Sequence, residues 1–343
     1  MRYKLMGRSG LRVSELCLGT MTFGEDWGWG APLEECRRML LSFTERGGNF
    51  LDTANNYTNG SSERIVGELI NGKRDRYVVA TKYTLSTEPR DPNAGGNHRK
   101  NMMRSVEASL KRLRTDYIDL LWVHAWDGLT PEEEVMRGLD DLVRMGKVLY
   151  VGVSDTPAWM VARSHTMAEL RSWTPFVGLQ IEYSLIQRTV ERELLPMARA
   201  LGLTVTPWGV VGGGVLTGKY SKGGAATDSK RAHINAARVT DKNLEIAAEV
   251  QRVANDLGRF PSQVALAWLR QKGSDIIPIV GARTASQLDD NLDALDLQLT
   301  AQQMSRLDAA SAIDLGFPHD FLELPFIRSL VHGETWELID RRR

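Results

Sequence analysis

Polar and ionisable side chains close one short apolar run after another along this 343-residue chain. Asp52 ends the run from Asn49, Lys82 the run from Tyr77, and His124 follows the run Tyr117 to Val123. Ser154 with Asp155 closes the run from Val148, Gln180 stands near the end of Phe176 to Ile181, and Arg283 follows Asp275 to Val280. A lone charge buried at the end of an apolar strand costs several kcal/mol by rough estimate, so Asp52 and Lys82 make sense if they converge and pair. Ionisable groups that meet this way can trade protons and stabilise charge. A strand-end lysine is also compatible with the Schiff-base chemistry of a lyase or aldolase. Taken singly, Lys82 reads as a solvated lysine, His124 as a satisfied core histidine and Tyr57 as a surface aromatic in a Gly- and Asn-rich loop. Their joint occurrence at successive strand ends is what argues for chemistry.

The elements that must position these groups follow from the hydrophobic pattern. Eight apolar runs, including Glu15 to Gly19 and Thr204 to Trp208, alternate with helix-period segments, the pattern of a parallel sheet built from βα units. Helices are predicted over Glu34 to Arg46, Ser61 to Asn71, Lys100 to Arg114 and Pro131 to Met145, and every run but the seventh is followed closely by one. Thr130-Pro131-Glu132-Glu133 reads as an N-cap and first turn, and Gly47-Gly48 as a stop. The expected fold is an α/β (β/α)8 TIM barrel forming a single domain over 1–343, in which the strand ends line one face, where the sites of this fold lie. Arg2 to Val13, with Gly7 and Gly10, is predicted to form a β-hairpin ahead of the barrel. Gly209 to Thr240 is long and rich in Gly, Ser and Lys, and reads as a mobile flap over a ligand.

Composition narrows the functional classes. The chain is 42% hydrophobic and 25% charged, with 43 basic and 43 acidic residues, so no overall field draws it to nucleic acid or to an anionic membrane. Cys17 and Cys36 stand apart from any ligand-spaced Cys or His, which predicts reduced thiols, no disulfide and no metal. No stretch approaches the roughly 18 uninterrupted apolar residues of a membrane span. A soluble, cytoplasmic protein acting on a small molecule is expected, with its oligomeric state open.

Nearly the whole chain resembles the aldo-keto reductase family. Asp52-Thr53-Ala54-Asn55-Asn56-Tyr57, running on to Gly60-Ser61-Ser62-Glu63, looks like the family's D-T-A-x-x-Y-x-x-G signature. Val79-Ala80-Thr81-Lys82 is similar to its lysine strand and Leu121-Trp122-Val123-His124 to its histidine strand; Leu16-Cys17-Leu18-Gly19-Thr20 and Ile277 to Arg283 are also familiar. The resemblance implies NADPH-dependent reduction of an aldehyde or ketone, and the clustered aromatic residues suit a bulky or sugar-like carbonyl compound. It implies Tyr57 as proton donor, Lys82 as the cation that lowers the phenol's pKa, Asp52 as the partner that keeps Lys82 charged, and His124 as the hydrogen bond that orients the substrate oxygen. A related branch serves as accessory subunits of potassium channels, so a nicotinamide-binding regulatory subunit is the alternative.

Cofactor binding must take a route other than the Rossmann fingerprint, because no G-x-G-x-x-G follows a strand. The resemblance places the carboxamide on Ser154, Asp155 and Gln180, with Trp208 stacked on the ring, and adds Gly19, Thr20, Met21 and Asp52 around it. Asp155 and Gly209 depart from the family's common Asn and Ser, and an ionised Asp can accept but cannot donate. Gly212 to Tyr220 contains G-x-x-x-x-G-K, but the next residue is Tyr220 rather than Ser or Thr, so it is no P-loop. Gly209, Val210, Gly213, Gly214 and Lys219 fit a backbone that approaches a pyrophosphate. Gly281, Arg283, Gln287, Asp290 and Asn291 are expected at the adenosine end, at the start of a helix, with Arg283 and Lys230 or Arg231 pairing with a 2′-phosphate. Phe23, Trp27, Trp29 and Trp126 are expected to wall the substrate pocket, with Phe317 and Phe321 offered by the chain end. Tyr183 is either a support behind the site or plain core.

Overall fold

The computed structural model describes residues 1–220 and 236–340. A two-stranded antiparallel hairpin, β1 (Tyr3–Leu5) and β2 (Arg12–Ser14), comes first, with Tyr3 opposite Ser14. The eight parallel strands are β3 (Cys17–Gly19), β4 (Phe50–Asp52), β5 (Val78–Tyr83), β6 (Ile118–Val123), β7 (Val148–Ser154), β8 (Gly178–Glu182), β9 (Thr204–Trp208) and β10 (Ile279–Val280), each beside its sequence neighbour and β10 beside β3. The ring closes between β9 and the chain leading into β10, where Val205 N–H donates to Asp275 O at 2.8 Å and Ile277 N–H to Val205 O at 2.8 Å. This is the expected (β/α)8 barrel. The predicted last strand, Asp275 to Val280, is split: Pro278 has no N–H for the ladder, so only its carbonyl serves, accepting from Cys17 N–H at 3.0 Å.

Helices alternate with the strands: α1 (Leu33–Glu45), α2 (Ser61–Leu69), α3 (Arg99–Leu113), α4 (Glu132–Arg144), α5 (Ala158–Leu170) and α6 (Leu194–Leu201). Beyond β9 come α7 (Asp241–Leu257) and α8 (Pro261–Gln271), and α9 (Ala285–Leu292) follows β10. In α4, Val135, Met136, Leu139 and Leu142 fall on one buried stripe while Glu132, Glu133 and Glu134 complement the helix dipole at its start. The predicted cap there is corrected by one residue. Pro131 occupies the N-cap, and the Thr130 hydroxyl instead donates to Asp127 Oδ2 at 2.7 Å. Gly47 does follow the end of α1, with φ +87°. Both cysteines are free and buried. Among the described residues no helix is long and apolar enough to cross a membrane, and no cluster of potential metal ligands occurs.

Strand alternation decides what lines the inside of the barrel. Phe50, Val78, Ala80, Leu120, Trp122 and Ile277 pack together there, with Met6 from the hairpin turn plugging the N-terminal mouth. The period of two then puts Asp52 two residues past Phe50, Lys82 two past Ala80, and Ser154 and Gln180 two past Gly152 and Gly178. The fully buried Trp122 indole fits only because Gly152 and Gly178 lack side chains: a Cβ at Gly152 would overlap the six-membered ring, and one at Gly178 would stand 2.9 Å from Cη2. Gly152→Ala is therefore expected to cost about 1–3 kcal/mol through overpacking. Thermal unfolding checks this, with Gly10→Ala, where the space is open, as the variant whose Tm should not move.

Candidate functional site

At the C-terminal end of the strands the Lys82 ammonium donates to Asp52 Oδ2 and to the Thr53 carbonyl, the latter at 2.7 Å. Asp52 Oδ1 accepts from Gln180 Nε2 at 3.0 Å, so both carboxylate oxygens are engaged. Lys82 is fully buried and Asp52 is 3% exposed. The Lys82 Nζ lies 4.7 Å from the centre of the Tyr57 ring, and the His124 ring stands edge-on to Tyr57 at 5.9 Å. Three strands and the loop after β4 thus bring together the four residues singled out in the sequence.

The electrostatics differ from expectation at one point. Burial pushes the Tyr57 phenol above its ordinary value, and the pull of the nearby Lys82 ammonium does not cancel that push. Burial by itself lowers Lys82, yet the Asp52 carboxylate and the phenol beside it raise it overall. An ammonium held charged in this way has no lone pair for attack on a carbonyl, which weighs against the Schiff-base reading. Burial, and secondarily the Lys82 charge, hold His124 well below the usual imidazole range, so it is neutral. A folded-state value below that of the unfolded chain means that the unfolded state takes up the proton first. Stability is full above about pH 6.5 and is lost as pH falls toward the folded-state value. Denaturant midpoints between pH 7.5 and 5 should fall for the wild type and fall less for His124→Gln; His165, lowered by burial in the same direction, supplies slope that remains.

The Tyr57 loop is pinned from below. Thr58 and Asn59 take left-handed backbone angles, φ 45° and 53°. The Thr58 hydroxyl donates to Phe23 O at 2.7 Å and receives Ser62 N–H at 3.0 Å, and the Ser62 hydroxyl donates to Thr20 O at 2.7 Å. Glu63, fully buried, accepts from Thr81 Oγ1 at 2.5 Å and Arg112 Nε at 2.6 Å. The Gly-Ser-Ser-Glu run after Tyr57 is therefore scaffolding for the phenol.

Beside the Lys82 cluster lies a second polar patch. Ser154 Oγ and Thr206 Oγ1 are buried and have no hydrogen-bond partner among the described residues. Buried hydroxyls left this way are poised for a ligand. Thr206 was not among the residues singled out; the Thr-x-Thr-x-Trp alternation of β9 carries the signal, and the register sets it beside Gln180. Gln180 itself is less available than expected, because an amide must turn its NH2 group toward a carboxylate and that nitrogen is spent on Asp52. Asp155 opens to solvent at the cleft floor with φ +40°, its Oδ1 accepting from Trp208 Nε1 at 3.2 Å. Partial desolvation there pushes its carboxyl up to about 6, against the Trp208 hydrogen bond and the Lys82 charge. Next to it Glu182 pairs with Arg238 at 2.6 Å. Orphaned hydroxyls, a carboxylate and an indole at one cleft floor fit the carboxamide and ring of a nicotinamide.

The remaining expected contacts are spread along this face. Gly19 and Met21 are partly buried at and just after the end of β3. The Thr20 side chain is fully buried and bonded to Asp52 O and Ser62, so only its backbone is left for a ligand. Gly209 is partly buried with φ +70°, Val210 is buried, and Gly213 and Gly214 sit in a 3-10 turn, Gly212–Thr217, ahead of exposed Lys219. That turn is not a strand-to-helix junction, in keeping with the rejected P-loop. Arg283 and Gln287 line a depression of about 350 Å³ with Gly30, Pro32, Glu35 and Thr284, and Arg283 N–H donates to Gln287 Oε1 at 3.1 Å. Thr284 caps α9, which places Gln287 in the first turn but Asn291 and Asp290 near its far end, rather than at its start. Gly281 is exposed just ahead of them. Lys230 and Arg231, and the middle of the expected flap, lie outside the described residues.

Among the expected pocket walls, Trp27 packs at 5.4 Å on Trp29 and at 6.4 Å on the Tyr57 ring, and Trp126 is half-buried two residues past His124. Phe23 is a correction: it is 1% exposed and belongs to the core behind the loop. Tyr183 is core, its ring on Trp268 at 5.6 Å and its hydroxyl on Glu191 at 2.6 Å. Phe317 and Phe321 pack on each other at 5.9 Å and remain largely exposed.

Comparison with known proteins identifies the family. Residues 15–312 match the model of the aldo/keto reductase family. The chain is 39% identical to a norsolorinic acid reductase of Aspergillus flavus, over 97% of this chain and 88% of that protein. It is 38% identical to an NADP(+) aryl-alcohol dehydrogenase of Phanerodontia chrysosporium, over 90% and 86%, and 35% identical to a putative aryl-alcohol dehydrogenase of Saccharomyces cerevisiae, over 92% and 87%.

Proposed function

This chain belongs to the aldo/keto reductase family, and from that premise we propose that it is an NADPH-dependent reductase of aromatic aldehydes or ketones, with Tyr57 as general acid. The observation that carries the reading is the Lys82 ammonium set between the Asp52 carboxylate and the Tyr57 ring. When bound, the reduced nicotinamide supplies hydride to the carbonyl carbon. Negative charge then builds on the carbonyl oxygen, and Tyr57 gives its proton to that oxygen. Lys82 stabilises the phenolate left behind, and Asp52 keeps Lys82 charged and aimed. Neutral His124 holds the oxygen by a hydrogen bond without competing as an acid.

Ser154, Thr206, Asp155 and Trp208 would hold the nicotinamide end, and Arg283 with Gln287 the adenosine end. The names of the relatives, which speak of aryl alcohols and of norsolorinic acid, support an aromatic substrate, and so do Trp27 and Trp29 beside Tyr57. Offset or edge-on packing of an aryl ring on these aromatic faces is favourable. The test is loss of nicotinamide absorbance on a panel of benzaldehydes, aryl ketones, aliphatic aldehydes and sugars. Turnover is expected on the aryl members with NADPH. Tight cofactor binding without turnover on any member would make the protein a regulatory subunit instead.

A further inference from the structure

Three carboxylates face the cleft beside Tyr57, and they are not equivalent. Asp52 is neutralised by Lys82, and Glu182 by Arg238 at 2.6 Å. Asp155 accepts only an uncharged hydrogen bond, from Trp208 Nε1 at 3.2 Å, and no cation stands within ion-pair distance of it among the described residues. Its left-handed backbone, φ +40°, suits Asn at least as well as Asp, and an Asn oxygen could accept the same indole N–H. Conformation and hydrogen bonding therefore do not require a charge at this position. What the carboxylate adds is a negative charge at the floor of the cleft that no cation pairs with among the described residues.

The reacting ring of a nicotinamide is a cation when oxidised and neutral when reduced. A ring that exchanges hydride with a carbon whose oxygen meets Tyr57 must lie in this cleft, within reach of Asp155, whose charge already acts on Tyr57 and Lys82 across it. We infer that Asp155 is a charge determinant of cofactor binding, which strengthens the hold on the oxidised nicotinamide while leaving the reduced form little affected. The inference rests on the nicotinamide reading given above. At pH 8 the carboxyl is ionised, since its value of about 6 lies below that.

The test is direct titration of NADP(+) and NADPH into the whole protein at pH 8, followed by tryptophan fluorescence and calorimetry, for wild type, Asp155→Asn and Asp155→Glu. Asn keeps the acceptor for Trp208, removes the charge and adds an N–H donor that both redox forms of the carboxamide meet alike, so the ratio of the two dissociation constants reports the charge. It should weaken NADP(+) binding by about tenfold, the effect of one unit charge across a partly screened cleft, with NADPH changed by less than about threefold. Asp155→Glu should keep the wild-type ratio of the two dissociation constants even if both weaken. Parallel weakening of both forms by Asp155→Asn, or no change in either, overturns the inference while leaving the cofactor assignment standing. Failure of wild type to bind either form overturns both.

Discussion

Tyr57→Phe is expected to bind nicotinamide as wild type does and to lose about 10²- to 10⁴-fold in kcat for carbonyl reduction, the usual worth of a positioned general acid. The phenyl ring keeps the edge contacts with His124 at 5.9 Å and Trp27 at 6.4 Å, and the stacking of Lys82 at 4.7 Å, so the pocket shape survives and only the hydroxyl goes. The upward push on the phenol adds a direction-specific consequence. Near neutral pH Tyr57 is in the acid form, ready to give a proton, so reduction should be flat in pH until the phenol ionises. Alcohol oxidation needs the phenolate as base and should climb with pH over the same range. Stopped-flow traces of both directions between pH 6 and 10 measure this. A Tyr57→Phe variant with undiminished reduction would remove the phenol from the mechanism.

The parts of this site legible in the sequence are those set by strand alternation. Asp52, Lys82 and Gln180 point inward because Phe50, Ala80 and Gly178 do, and a period of two is visible without any structure. The hairpin before the barrel was legible for the same reason, since short alternating pieces flank Gly7 and Gly10. Illegible were properties that depend on what lies opposite. Nothing in the local run around Phe23 distinguishes a pocket wall from a core residue; its ring joins a core cluster drawn from distant parts of the chain, and its carbonyl accepts from Thr58, some 35 residues on. The net direction at Tyr57 was also hidden, because adjacency to a lysine can be guessed from motifs whereas the depth of burial opposing it cannot. Thr206 escaped notice because it looks like any β-branched residue in a strand; its lack of a partner appears only when both neighbouring strands are in place. The split of the last strand follows from Pro278, which the sequence does display, and its placement inside an apolar run masked it.

Removing one member of the Asp52–Lys82 pair should do more damage than removing both. Lys82→Met strands a carboxylate that is 3% exposed with only Gln180 Nε2 as donor, and Asp52→Asn leaves a fully buried ammonium held by the Thr53 carbonyl, the Tyr57 hydroxyl and a neutral amide. Breaking a buried pair on one side costs about 3–5 kcal/mol, whereas replacing both charges by uncharged groups of similar volume is often close to neutral. Lys82→Met and Asp52→Asn are therefore each expected to unfold at markedly lower denaturant concentration, and the double variant Asp52→Asn/Lys82→Met to regain most of that loss. Activity should not follow stability. The double variant has no cation to stabilise the phenolate and should be as inactive as Lys82→Met, with reduction down by at least about 10³-fold. Denaturant midpoints and kcat measured on the same four proteins separate the two roles. Stability losses that simply add would mean the pair does not interact in the folded protein. Activity regained with stability would show that Lys82 serves the fold and not the proton transfer.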